Sequence, residues 1–313
     1  MATKPVILVF GATGKQGSAV IPQLSQILAQ SHAIRIVTRN PAGAKAAAFA
    51  DTGIQVHKGD MLDPQSLSDA MQGVWGVYLV TDNMGKGGVV TEQNQAKNVI
   101  EQAVRAGVQY FVYCSSFGVS CENDTANSVP HFTSKRAIEH LITSASWPLG
   151  YAILRPGSFF ENFEVMGPLS RGSLSGITPG AVKLKWISTK DIGVFAALAF
   201  QKPEVFKGNK TEIVGDWISP DEMAKVLSDL TDSPWTYSEM PHFLLRLLSK
   251  DLYLMSVALD KLDMVETDIP SLRSLHPTLQ SFQDWCVAKG IGEKDSSADS
   301  YVYAKSLWQK LMG

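Results

Sequence analysis

Two short stretches carry residue types whose spacing could do chemistry. The first is GATGKQG, Gly11 to Gly17, which follows the apolar run VILVF and stands at the mouth of a helix-forming segment. In that context the three glycines suit an anion. Gly11 permits a tight turn, Gly14 lets the backbone approach a pyrophosphate, and Gly17 lets helix and strand pack closely. The helix start offers unpaired N–H groups and a favourable dipole to the same anion. The second stretch is PHFTSKRAIEHLI, Pro130 to Ile142, with His131 four residues before Lys135. Positions four apart share a helix face, so both side chains can enter one cleft.

A tyrosine and a lysine at this spacing do the chemistry in a large class of nicotinamide enzymes; here histidine stands in the tyrosine's place. Lys135 has two possible jobs there. As a cation it can orient ribose hydroxyls; desolvated, its pKa can fall until it exchanges a proton with substrate. His131 can donate a proton to a carbonyl or quinone oxygen as hydride arrives, or serve as a surface or capping residue. A literal Tyr-x-x-x-Lys, Tyr301 to Lys305, lies in the C-terminal tail outside any βα unit and reads as chance.

The end of the second expected strand bears on the choice of dinucleotide. An acidic residue about 20 positions on would bond the ribose hydroxyls of NAD; the sequence there is VTRN. Arg39 can pair with a 2′-phosphate through its planar fork, with Thr38 and Lys15 as further donors, which favours NADP(H). The alternative is a solvated loop cation. In GDMLD, Asp60 could bond an adenine amino group, while Asp63 before Pro64 reads as a helix cap.

These residues need elements to position them. VILVF, IRIVT, IQVHKGD, VWGVYLVT, YFVYCSS and YAILRPG alternate with helix-forming segments, a pattern that predicts βαβ units and a parallel sheet. Beyond Gly157 the pattern breaks into glycines, prolines and aromatics. It returns with a helix over Thr189 to Gln201, the strand TEIV, and a helix opened by the capping box Ser219 and Glu222. The expectation is an α/β protein: a Rossmann-type doubly wound parallel sheet over residues 1–157, with the rest in 158–313. That part would hold remaining sheet elements at about 181–231, a smaller, mostly helical lobe at about 158–180 and 232–290, and a tail whose YVYAKSLWQKLM could form a docking amphipathic helix. Trp186, Phe159, Phe160, Phe163 and Met166 are candidates either for an apolar pocket or for core packing.

Composition narrows the classes. Lys and Arg total 28 against 30 Asp and Glu, a net charge of −2 with no basic block, which argues against direct nucleic-acid binding. Cys114, Cys121 and Cys286 lack metal-ligand spacing and fit reduced thiols, so no metal is expected. The opening MATKPVILVFGATG has none of the zones of a signal peptide, and no apolar stretch is long enough to span a bilayer. A cytoplasmic protein without membrane association is the expectation.

VFGATGKQG, VTRNP, GDMLDPQSL, YCSS, HFTSK, LRPGSFFENF and TLQSFQDW, in this order, resemble the NmrA-like branch of atypical short-chain dehydrogenases, over nearly the whole chain to about Gly290. The resemblance implies a Rossmann domain with a helical lobe and NADP(H) in the cleft. It places Gly11, Thr13, Gly14, Lys15, Gln16 and Gly17 at the phosphates, Arg39 at the 2′-phosphate, and Asp60 and Met61 at the adenine rim. Thr81, Asp82 and Asn83 would face the nicotinamide ribose, with Ser115 and Ser116 at the end of the fifth strand. Lys135 matches the lysine of family reductases, and Pro156, Gly157, Ser158, Phe159 and Phe160 match the loop near the nicotinamide. Two roles follow from the family: an NADPH-dependent reductase of a small apolar or aromatic acceptor, or a non-catalytic NADP(H) sensor acting on a protein partner, for which Phe243 to Leu259 could serve as the surface.

Overall fold

The computed structural model describes residues 4–83, 85–121, 124–163, 172–259, 261–262 and 264–292. Met166, the Tyr301 to Lys305 pair and the expected tail helix lie outside them. The described strands are β1 (Val6–Phe10), β2 (Ala33–Thr38), β3 (Gln55–Lys58), β4 (Val74–Leu79), β5 (Tyr110–Cys114), β6 (Gly150–Pro156), β7 (Ser158–Phe159), β8 (Ser173–Gly176), β9 (Leu184–Ile187), β10 (Lys210–Ile213), β11 (Asp216–Ile218) and β12 (Thr236–Glu239). The helices that matter most for the site are α1 (Lys15–Leu28), α2 (Ala44–Asp51), α3 (Pro64–Met71) and α4 (Gly88–Arg105), together with Pro130–Ser144 and Thr189–Gln201.

The chain forms two compact units. The first gathers residues 1–120, 130–156 and 189–213. Its sheet has seven strands in the order β10-β6-β5-β4-β1-β2-β3, and every pairing in it is parallel. Strand apolarity explains the burial: Ile7 to Phe10 are fully buried, as a central strand covered on both faces requires. Side chains alternate across the sheet. Leu8 and Phe10 join a core with Leu67, Val99, Ile100 and Ile138 from the helices on one face. The opposite face is covered by α1 and the Thr189–Gln201 helix, which meet at glycine distance, since a Cβ on Gly193 would come 2.9 Å from Ala19 O. This is the doubly wound arrangement, and its strand order reverses between β1 and β4.

The second unit gathers 121–129, 157–188 and 214–313. Within it β9 pairs with β7 in parallel and with β11 antiparallel, and β8 pairs with β12. The helix Pro220–Thr231 starts at the expected capping box, with both Ser219 and Glu222 bonds made. The apolar stretch from His242 to Leu259 is two helices, because Ser249 is extended (φ −162, ψ 128) and its hydroxyl accepts the N–H of Leu252. Phe160, Phe282 and Trp285 form its aromatic core, with ring centroids 5.5 to 6.0 Å apart. No helix among the described residues is long and apolar enough to cross a membrane.

Candidate functional site

The strand-order reversal puts the turn after β1 beside the turn after β4. They touch at Gly11, whose φ of +73 and distance of 2.7 Å from an added Cβ to Val80 O both demand glycine. At Gly17 an added Cβ would fall on Gly11 O and lie 2.7 Å from Ala12 Cα, so the helix starts hard against the turn. Gly14 is the N-cap of α1, and no side chain caps it. The first turn of α1 therefore keeps its N–H groups for an anion, with Lys15 beside them. Gln16 is drawn inward instead: its Nε2 donates to Cys114 Sγ at 3.0 Å, at the end of β5. Burial pushes the Cys114 thiol up to about 11, so it stays neutral. Lys45 is an addition that no motif announced. It reaches back from α2 to donate to Thr13 O at 3.1 Å and brings a second cation to the loop.

Past β2, Arg39 is exposed and the segment Thr38 to Gly43 carries no acid. The Thr38 hydroxyl oxygen accepts the Asn40 N–H at 3.2 Å. Asp60 folds its own turn, accepting the N–H of Leu62 at 2.9 Å. Met61 O accepts from Asn98 at 2.9 Å, and Asp63 caps α3 as expected by accepting from Gln65 N.

Around Lys135 the structure departs from a simple His/Lys pair. Its ammonium, 12% exposed, donates to Glu92 Oε1 at 2.9 Å, and Glu92 on α4 is 0% exposed. The same carboxylate accepts the Thr81 hydroxyl at 2.8 Å and the Ser134 hydroxyl at 2.6 Å. Since the Thr81 hydrogen goes to Glu92, Tyr113 OH, 3.4 Å away, donates to Thr81. Burial would lower the Lys135 pKa, but Tyr113 and Glu92 outweigh it and raise it well above the ordinary lysine value. Burial likewise works against the ionised Glu92, and Lys135 with the two hydroxyls reverses it, so its pKa lies below the usual carboxylate range. Both shifts point toward an ammonium–carboxylate pair. His131 lies half-buried one turn earlier, edge-on to Phe132 with centroids 4.4 Å apart.

A second buried carboxylate, Glu139, organises the end of β5. It accepts the Ser115 hydroxyl at 2.6 Å and a forked pair of bonds from Arg155 at 2.9 and 2.6 Å, and it forms an ion pair with Lys210 at 3.4 Å. The Ser115 hydrogen is thereby committed to Glu139, while the neighbouring Ser116 is half-buried. Asp82 is exposed and Asn83 half-buried in the turn after β4. Pro156 ends β6 in the first unit, whereas Gly157, Ser158 and Phe159 belong to the second. A Cβ on Gly157 would lie 2.6 Å from Lys185 O. Ser158 lines a cavity of about 50 Å³ in that unit with Asn162, Phe163, Trp186, Tyr237 and Met255. Phe159 is half-buried, and Phe160 packs into the aromatic core. No group of residues that could hold a metal occurs among the described residues.

Strand order, glycine turn and uncapped helix define a Rossmann-type α/β protein. The chain belongs to the NmrA-like family, whose sequence profile matches residues 3–274. It is 31% identical over 170 residues to an NmrA-like family domain-containing oxidoreductase of Penicillium ochrochloron, covering 51% of this chain and 49% of that protein, so the chain spans about half the length of this relative. It is 31% identical over 213 residues to Quinone oxidoreductase 2 of Escherichia coli (strain K12), covering 67% and 69%. The solved structure of NmrA, a negative transcriptional regulator, in complex with NADP superposes with a TM-score of 0.72 at 16% identity, over 94% of this chain and 99% of that one.

Proposed function

We propose that this chain binds NADP(H) and reduces a small apolar or aromatic acceptor of the quinone, enone or carbonyl type. The observation that carries the proposal is the conjunction, in one unit, of an uncapped α1 start behind a glycine turn and a lysine ammonium fixed beside the ends of β4 and β5. The oxidoreductase relatives support the reaction class. In this reading Gly11, Thr13, Gly14, Lys15, Gln16 and Gly17 hold the pyrophosphate, and Arg39, Thr38 and Lys45 hold the 2′-phosphate. Asp60 and Met61 border the adenine. Thr81, Asp82, Asn83, Ser115, Ser116 and Lys135 face the nicotinamide ribose, with Pro156 at the end of β6 toward the carboxamide. NADPH, when bound, supplies the hydride. In this reading Lys135 orients ribose hydroxyls as a cation, and His131 delivers a proton to the acceptor oxygen. Residues 158–180 and 232–290 carry the contacts to substrate or partner.

The test is NADPH oxidation against a panel of quinones, enals and aryl ketones. Turnover that falls ~100-fold or more in Lys135→Ala supports the reading, since proton transfer and positioning each contribute on that scale. Tight NADPH binding without turnover on any acceptor sinks the reductase and leaves the second reading, a nucleotide-sensing regulator. One observation favours that alternative: Phe243, Leu247 and Leu248 of the helix His242–Leu248 are 71%, 80% and 64% exposed, an apolar surface of the kind that binds a partner.

A further inference from the structure

We infer that Glu92 is the positioning residue of this site: its carboxylate fixes the Lys135 ammonium in place and keeps it charged, so that Lys135 meets a ligand as a permanent cation. The fixing of Lys135 rests on the hydrogen-bond geometry; the role toward the dinucleotide rests on the function proposed above. Glu92, on α4, is wholly buried and takes three donors from two other segments, Thr81 after β4, and Ser134 and Lys135 on the helix Pro130–Ser144. An ionised carboxylate accepts and never donates, so the Thr81 and Ser134 hydroxyl hydrogens and one ammonium hydrogen are directed toward it. Lys135 spends one of its three N–H donors on Glu92 and has two more, on a side chain that is 12% exposed.

The groups facing Lys135 from neighbouring elements are Glu92 on α4 and Tyr113 and Cys114 on β5; on its own helix His131 and Glu139 lie one turn to either side, with Glu139 engaged by Ser115 and Arg155. Tyr113 and Cys114 are both held neutral by burial, at about 12 and about 11. Below about pH 11, therefore, Glu92 is the negative charge that faces the ammonium, and Tyr113 adds to it only once ionised. A lysine so buried without its counter-charge falls ~2 units or more below the ordinary lysine value.

The experiment compares wild type with Glu92→Gln, which keeps shape and removes charge. Without nucleotide, each is treated with an amine-acylating reagent across about pH 7 to 10, and modification of Lys135 is read by mass spectrometry; only the neutral amine reacts. A drop of ~2 pKa units raises the reactive fraction ~100-fold at about pH 8. Equal labelling of Lys135 in the two proteins overturns the inference. NADPH affinity should be flat with pH in wild type and fall ~10-fold or more between about pH 7 and 9 in the variant, as the ammonium there loses its proton; a flat profile in both overturns it as well. Should Glu92→Gln not fold, wild type alone decides: Lys135 must stay unlabelled where exposed Lys97 is modified, and a labelling midpoint below about pH 9 refutes the role. If wild type binds no NADPH, the proposed function fails while the labelling still decides the part played by Glu92.

Discussion

Alanine at Gly17 and alanine at Gly14 should have opposite signatures, although both alter the same turn. At Gly17 the new methyl would fall on Gly11 O and lie 2.7 Å from Ala12 Cα and 2.8 Å from Gly11 C, all backbone atoms that cannot rotate away. Nor can α1 retreat, because on its far side Gly193 already sits where a Cβ would be 2.8 Å from Gln23 Cγ and 2.9 Å from Ala19 O. The helix is clamped between two glycine contacts. Overpacking of this kind costs ~1–3 kcal/mol, which in a unit of this size lowers Tm by ~2–10 °C. At Gly14 the nearest atom to an added Cβ is Gly11 O at 3.2 Å, and φ is −71, so the fold loses at most ~1 kcal/mol of capping energy. That methyl nevertheless stands where the proposed pyrophosphate must approach, and NADPH affinity should fall ~10-fold or more. Thermal unfolding and NADPH titration of the two variants provide the assay. Equal loss of Tm in both, or unchanged NADPH affinity in Gly14→Ala, would refute the reasoning.

Arg39→Ala should weaken NADPH binding ~10- to 100-fold, the worth of a charge-assisted bond, while leaving NADH affinity and Tm alone because the side chain is exposed; titration with both nucleotides checks it. Glu139→Gln removes the counter-charge of Arg155, whose side chain is 12% exposed, a loss of ~1–3 kcal/mol that should lower Tm by several degrees. Cys114 should resist thiol reagents in the folded protein, since burial holds it at about 11. Its raised pKa means that the folded state keeps a proton the unfolded state releases. The associated stability is complete below the ordinary thiol value of 9.0 and lost as pH rises toward about 11, on the order of 3 kcal/mol. Denaturant midpoints across that range, compared with Cys114→Ala, measure it.

The parts of this molecule that local chemistry dictates were legible in the sequence. The glycine turn, the Asp63 cap before Pro64 and the Ser219 capping box all rest on residues within a few positions of one another, and the structure shows each of them. What escaped is what depends on distant partners. Glu92 stands in phase with Ala96, Val99, Ile100 and Ala103 on the buried stripe of α4, so a carboxylate on an apolar face was visible, but the lysine that neutralises it is 43 residues away. Glu139 carries the same signal beside Ile138 and Ile142. Lys45 reaches the phosphate turn only through the return of α2, which no motif encodes. The short strands β7, β9 and β11 have two to four residues each, too few to display an alternation.

The clamp on α1 also has a temporal side. Its outer jaw, the helix Thr189–Gln201, and the edge strand β10 arrive only after the excursion through residues 157–188. During synthesis, therefore, the first 160 or so residues emerge with one face of α1 uncovered and the edge of β6 unpaired. A nascent chain at that stage carries the whole glycine motif but not the support that holds it rigid, and its bare strand edge is open to wrong pairing. The packing that supports the glycine motif is thus completed late on the ribosome, some 200 residues after the motif itself.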